Sequence, residues 1–309
     1  MPRDPSASLY QPQTVACDLC GSDAYDVLYG NTVVRDLAAS DFTVYGELYE
    51  HPRIVRCRHC SLVYANPRDD VAGLQDKYHA MPVDGYLEEH DGREAAFRAG
   101  LRLIRRYVPS GTVLDIGCSA GPFLRGLPAG YEPYGLEPSA QAAGIARQHF
   151  GDRIRVGGIQ EAGFAAGSFH LITLWDVIEH LESPREALQT IHRWMRPGGY
   201  LVVLTPDVGS FTARLMGTRW HHLIRQHLFY FTSASLSRLL DHTGYRVVRR
   251  APWVRQHSIG YLLKRSHLWK VASADGSLAR IPPPVQSLLG IRVPVTLFDD
   301  LFVIAQAIS

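Results

Sequence analysis

The chain has 309 residues, 46% of them hydrophobic, with 32 Lys and Arg against 30 Asp and Glu. That length and apolar content suit one large domain with a smaller unit beside it, and a formal charge of +2 excludes an electrostatic drive toward nucleic acid. No apolar run is long enough to span a bilayer, and Met1 to Gln13 lacks the basic-then-apolar layout of a secretory signal, so a cytoplasmic protein is the expectation.

Taken in chain order, the first 70 residues hold short β-type runs such as Ile54-Val55-Arg56 and four of the five cysteines. Cys17-Asp18-Leu19-Cys20 and Cys57-Arg58-His59-Cys60 are paired C-x-x-C units. In a chain expected in the cytosol such units read as metal ligands before disulfides. Four sulfurs are the tetrahedral complement that Zn²⁺ prefers, and a closed four-cysteine site is structural, with no open position for catalysis. Residues 71 to 108 follow as a helical linker or lid. Over Glu94 to Tyr107, Ala96, Leu101 and Ile104 fall near helical spacing, until Pro109-Ser110-Gly111 breaks the helix.

From residue 109 to 309 strands alternate with helices. The strand-like runs are Thr112 to Ile116, Pro133 to Leu136, Ile154 to Val156, His170 to Leu174 and Tyr200 to Leu204. The helical runs are Phe123 to Leu127, Ala140 to Phe150 and Pro184 to Met195, the last closed by Pro197-Gly198-Gly199. A helix over Ser233 to His242, N-capped by Thr232 or Ser233, then strands at Tyr245 to Arg249 and Leu301 to Ile308 complete the pattern. Short apolar strands between helices predict a mostly parallel α/β sheet covered on both faces.

The run Thr112 to Ile116 ends in Asp115-Ile116-Gly117-Cys118-Ser119-Ala120-Gly121 and opens into a helix. Gly117 and Gly121 bracket a tight turn that lets backbone approach a ligand, and the helix start beyond supplies unpaired N–H groups. A second strand, Tyr134-Gly135-Leu136-Glu137, also ends in an acid, placed to accept ribose hydroxyls beyond the strand ends. The spacing is not Gly-x-Gly-x-x-Gly, and an acid precedes the first glycine. A sulfonium cofactor with an amino-acid end needs no pyrophosphate cradle, and an acid suits its ammonium.

The segments VLDIGCSAGPFL, YGLEPS, FHLITLWDVIEHLESPREALQTIHRWMRPGGYLVVLTPD, HLFYFT and DDLFVIAQA resemble the class I S-adenosylmethionine-dependent methyltransferases, most strongly from about 110 to 245. The resemblance implies a Rossmann-like seven-stranded, mostly parallel sheet with helices on both faces, here with a small N-terminal zinc-ribbon-like unit. It implies that Asp115, Gly117 and Gly121 hold the methionine part and Glu137 the ribose. The adenine is expected near Ile159-Gln160, and Trp175-Asp176 beside the methyl end. Ser119 stands where the family often has a middle glycine. Cys118 belongs to the loop as a small packing residue. CRHCSLVYANPR resembles the zinc-bearing members that act on small molecules in natural-product and polysaccharide pathways. The implied activity is methylation, on oxygen, of a small-molecule acceptor. An RNA methyltransferase using the zinc unit as a clamp and a catalytically silent cofactor-binding module are the alternatives.

Two histidines are candidates for the chemistry. His180 follows the fourth strand in Trp175-Asp176-Val177-Ile178-Glu179-His180 and can act as a base near neutral pH. Asp176, Glu179 and His180 together could hold Mg²⁺, an arrangement resembling the quinone-pathway O-methyltransferases. His227 opens HLFYFT, which by likeness lies across the substrate cleft. His221 and His222 stand just upstream. Tyr78, Tyr86 and Trp220 could line a pocket or serve as core. Arg246, Arg249, Arg250 and Arg255 read as a solvated basic strand edge.

Overall fold

The structure is a computed structural model, and it describes residues 12–33, 50–69, 90–259 and 291–308. Tyr78 and Tyr86, and the first part of the expected helical linker, lie outside the described residues.

The large sheet is built from β4 (Gly111–Ile116), β5 (Tyr131–Glu137), β6 (Ile154–Val156), β7 (Phe169–Trp175), β8 (Met195–Pro206), β10 (Tyr245–Ala251) and β13 (Asp300–Ala307). Its order is β10-β13-β8-β7-β4-β5-β6. The pairs β8–β7, β7–β4, β4–β5 and β5–β6 are parallel. β13 runs antiparallel to both of its neighbours. The expected seven-stranded, mostly parallel sheet is therefore present. The central strands are apolar on both sides, as a sheet covered by two helix layers requires. Leu114, Ile172 and Leu174 pack with Leu188 and Ile191 of α4 (Pro184–Trp194) and Leu236 and Leu239 of α6 (Ser233–His242). Val113 and Leu171 face the opposite layer. That layer is formed by α1 (His90–Ile104), α2 (Pro122–Arg125) and α3 (Ala140–Phe150).

Local chemistry explains the helix limits. Ser139 accepts from Ala142 N at the start of α3, and Ser183 accepts from Glu186 N ahead of Pro184 in α4. Thr232 and Ser235 form a reciprocal capping box at the start of α6. Between β8 and the HLFYFT segment lies a short helix, α5 (Phe211–Met216).

A second, antiparallel sheet has the order β1-β2-β3-β9, with β1 (Tyr25–Tyr29), β2 (Ile54–Cys57), β3 (Val63–Ala65) and β9 (Phe229–Tyr230). Its last strand comes from HLFYFT, with Val63 opposite Tyr230 and Tyr64 opposite Phe229. The small unit is thus completed by a strand from far beyond residue 70. A two-stranded pair, β11 (Arg255–Ser258) with β12 (Arg292–Val295), stands beside the large sheet.

Candidate active site

Three features meet at the carboxyl ends of β4, β5, β7 and β8. The first is the loop after β4. Gly117, Ser119 and Gly121 have φ of 71°, 49° and 80°, all in the left-handed region. A Cβ at Gly117 would also lie 2.7 Å from Val177 Cγ2, so glycine is required there on two counts. Ser119 holds the same conformation with a side chain, at a backbone cost of about 1–2 kcal/mol. Ser119→Gly should therefore raise stability by about 0.5–1 kcal/mol in urea denaturation, part of the relief being offset by the entropy of glycine. An unchanged or lowered midpoint would show that the serine hydroxyl compensates.

Asp115 is buried, and its Oδ1 accepts from Thr173 Oγ1 at 2.6 Å. Burial pushes its carboxyl up to about 8, against the Thr173 hydrogen bond and with a further upward push from Glu137. No basic side chain pairs with Asp115 among the described residues. A buried carboxyl in that state is suited to a ligand that brings a cation. Glu137 is also buried. Its Oε2 accepts from Ser119 N and its Oε1 from Ser139 N, both at 2.8 Å. One carboxylate thereby joins the loop after β4 to the start of α3.

The loop's other expected residues sort by face. Cys118 is 1% exposed and packs on β5, where a Cβ at Gly135 would lie 2.6 Å from its Sγ. In the loop after β6, Ile159 is buried in the core and Gln160 Oε1 accepts from Thr190 Oγ1 at 3.3 Å. Trp175 departs from expectation. Its ring lies 5.0, 5.2 and 5.4 Å from those of Phe97, Phe123 and Trp253. The pleat turns this side chain into the apolar layer beneath α1.

The second feature is the turn after β7. Asp176 has φ 53°, and its two carboxylate oxygens accept from Arg255 at 2.8 and 2.9 Å. The same guanidinium donates to Asp300 at 2.6 and 2.9 Å. Arg255 thus clamps the ends of β7 and β13, and it is no solvated strand-edge charge. Asp176 is engaged by that clamp and does not group with Glu179 and His180. His227 takes that place instead.

The third feature is this histidine pair. The single-turn helix Ile178–His180 buries Glu179, whose Oε2 accepts from Thr205 Oγ1 at 3.0 Å. Glu179 Oε1 has no hydrogen-bond partner among the described residues. Burial and the neighbouring Asp176 raise its carboxyl well above the usual range. The rings of His180 and His227 are 4.7 Å apart at 69°. His180 Nδ1 meets the Gln226 carbonyl and His227 Nδ1 the His222 carbonyl, each at 2.9 Å. A carbonyl only accepts, so each Nδ1 carries the proton and each Nε2 carries a lone pair. Burial lowers the pKa of both, His227 the further because His180 stands beside it. Both rings are neutral bases at neutral pH. Leu228 N donates to the Glu179 carbonyl at 2.8 Å, which fixes HLFYFT against this turn.

The cysteines form a separate centre. Cys17, Cys20, Cys57 and Cys60 bring their four sulfurs within 4.8 Å of one another. The closest pairs are Cys17–Cys60 at 3.4 Å and Cys20–Cys57 at 3.5 Å, too long for S–S bonds of about 2.05 Å. The two knuckles repeat one conformation. Cys17 N donates to Ser22 O and Gly21 N to Cys17 O; Cys57 N donates to Leu62 O and Ser61 N to Cys57 O. Gly21 and Ser61, at matching positions, are both left-handed. Sulfurs bound tetrahedrally at about 2.3 Å would lie about 3.8 Å apart, which this cluster fits.

Sequence reasoning did not find Arg255, Thr173 or Ser139 as supports of the site. Their partners lie 79, 58 and 2 residues away. Only the last had a local signal, an N-cap serine next to the acid.

A family model described as "Methyltransferase domain" matches residues 88–250. An uncharacterized methyltransferase of Schizosaccharomyces pombe is 26% identical over 149 residues, covering 43% of this chain and 53% of that protein. A ubiquinone biosynthesis O-methyltransferase of Aromatoleum aromaticum is 31% identical over 100 residues, covering 30% and 43%. The chain spans about half the length of the curated relatives it matches. The crystal structure of an S-adenosylmethionine-dependent methyltransferase from Archaeoglobus fulgidus is 20% identical, covers 72% of this chain and 98% of that one, and has a TM-score of 0.47. No helix among the described residues is long and apolar enough to cross a membrane.

Proposed function

This chain belongs to the methyltransferase-domain family, and we propose on that footing that it methylates an oxygen of a small-molecule acceptor with S-adenosylmethionine. The observation that carries this reading is the pair of buried carboxyl groups, Asp115 and Glu137, on adjacent parallel strands around the left-handed loop. Ligands of open α/β sheets sit at such strand ends. When bound, the cofactor supplies an electrophilic methyl group on a sulfonium.

Asp115 offers a buried carboxyl whose charged form an arriving ammonium group stabilises, and Glu137 offers acceptor oxygens to ribose hydroxyls. Gly117 and Gly121 keep side chains off that surface. His227 Nε2 takes the proton of an acceptor hydroxyl, and His180 packs against it to hold the ring. The near-balanced charge supports a small acceptor over RNA, and the likeness to an O-methyltransferase supports oxygen. The four cysteines hold a structural Zn²⁺.

Calorimetry with S-adenosylmethionine tests the cofactor. Glu137→Ala removes a charged acceptor and should weaken binding by about 10- to 100-fold, or about 1.5–3 kcal/mol. Wild-type affinity in that variant would count against the assignment. The base has its own signature. Because burial holds the His227 pKa well below 6.5, kcat/KM should rise with pH along an acid limb centred below 6.5, then stay level to pH 8. A limb at 7 or above would place the proton acceptor elsewhere.

A further inference from the structure

A second histidine cluster lies next to the residues used above. The turn after Trp220 sets His221 and His222 side by side, with ring centroids 4.1 Å apart. Their Nε2 atoms lie 3.7 and 4.0 Å from Asp299 Oδ2. One donor atom from each of the three residues lies within 4.8 Å of the others. Asp299 comes from the far end of the chain, just before β13, and its side chain is 5% exposed. Trp220 Nε1 donates to its Oδ2 at 3.0 Å, and Asp207 N to its main-chain oxygen at 2.7 Å. The imidazoles are more open, at 25% and 16%. A locked carboxylate thus sits beneath two rings that reach solvent.

The distances point to a shared ligand. At 3.7 and 4.0 Å the histidine nitrogens are beyond hydrogen-bonding range of Asp299. With the third separation at most 4.8 Å, an ion in the plane of the three donor atoms sits about 2.3–2.5 Å from each, so a small inward turn of the imidazoles brings them to ordinary metal–nitrogen and metal–oxygen bonds of about 2.0–2.2 Å. We propose that His221, His222 and Asp299 bind a divalent transition-metal ion, distinct from the four-cysteine centre. Two imidazoles and one carboxylate select Zn²⁺, Co²⁺ or Fe²⁺ over Mg²⁺ and Ca²⁺. Three protein ligands leave positions open to water or to an oxygen ligand.

The site has a consequence for its neighbour. The His222 carbonyl accepts from His227 Nδ1, so an ion on the His222 ring fixes the turn that orients His227. That consequence rests on the proposed function, whereas the binding itself does not.

Metal titration tests binding without any activity readout. Protein with its cysteine centre filled by zinc is dialysed and titrated with Co²⁺ by calorimetry and visible absorption. One further equivalent per chain is expected, with the spectrum of nitrogen and oxygen ligands and without thiolate charge-transfer bands. Mg²⁺ should not compete. His221→Ala and Asp299→Asn should each weaken this equivalent at least 10-fold while zinc at the cysteines stays at one per chain. Asparagine retains an acceptor for Trp220. Should Asp299→Asn misfold, the half-open His221 position decides alone. The proposal is overturned if no second equivalent binds, or if it binds with unchanged affinity in His221→Ala. Cofactor binding, measured separately, remains a test of the methyltransferase reading only.

Discussion

Cys60→Ser is expected to remove the metal from the N-terminal unit and loosen one wall of the active-site cleft in the same event. Cys57 ends β2 and Cys60 lies in the turn before β3, in the sheet whose last strand, β9, begins two residues after His227. Ala65 N donates to the Leu228 carbonyl at 2.9 Å. Asp18, between the first two cysteines, accepts from Ser183 Oγ at 2.6 Å and Arg185 N at 2.9 Å at the start of α4. Arg68 donates to the Glu182 carbonyl at 3.1 Å. Arg225, from the turn before His227, makes a two-pronged pair with Asp69 at 2.7 and 2.8 Å. Structural zinc supplies folding free energy outright, so losing one thiolate should cost more than about 3 kcal/mol. Zinc content should fall from one per chain to well below it. Amide exchange should accelerate at 54–65 and at 228–231 together. Fast exchange in the first segment with an unchanged second would refute the mechanical link. A metal-free wild-type protein that melts normally would refute the zinc centre itself.

Arg255→Met should have the next largest effect at neutral pH, for an electrostatic reason. It leaves Asp176 and Asp300 facing each other with no cation between them. Removing one partner of a fully buried pair costs about 3–5 kcal/mol. The Arg255 and Asp176 side chains are 27% and 37% exposed, so solvent screening reduces the expected loss to about 2 kcal/mol. The pH dependence fixes the cause. Burial already raises the Asp300 carboxyl pKa, against the pull of Arg255. Without Arg255 the folded-state pKa rises further above the unfolded value of about 3.9. The folded protein then binds the proton more readily than the unfolded chain. The penalty should therefore be full at neutral pH and shrink as pH falls toward 4. Asp300→Asn in the same chain should recover much of the loss. A deficit that is constant from pH 4 to 8 would mean lost packing in place of unmatched charge.

Much of the fold could be read locally because its signals are local. The limits of α3 and α6 coincide with those expected from their capping residues and periodicity. The strands fall where apolar runs end in acid or glycine, and the edges of β5, β8 and β10 extend a few residues beyond. Both knuckles are encoded within six residues each, by two cysteines and a following position able to turn left-handed. The paired acids at the ends of β4 and β5 were equally legible, since strand direction alone puts them at one edge of a parallel sheet.

Sheet order and long-range pairing decided the rest. Nothing near Asp176 announces that Arg255 will occupy its carboxylate, because β11 and β13 come beside β7 and β8 only in three dimensions. The side on which Trp175 packs depends on the apolar layer laid across the strand, and Cys118 faces inward because Gly135 leaves space on β5. His180 and His227 become neighbours through the bond from Leu228 N to Glu179 O, across 49 residues of chain. Periodicity and capping act over a few residues, so the sequence by itself determined the elements, the acid-ended loop and the metal-type knuckles. The partners of Asp176, the pairing of the histidines and the strand that binds the cysteine unit to the cleft depend on which elements lie side by side, and only the tertiary structure decided them.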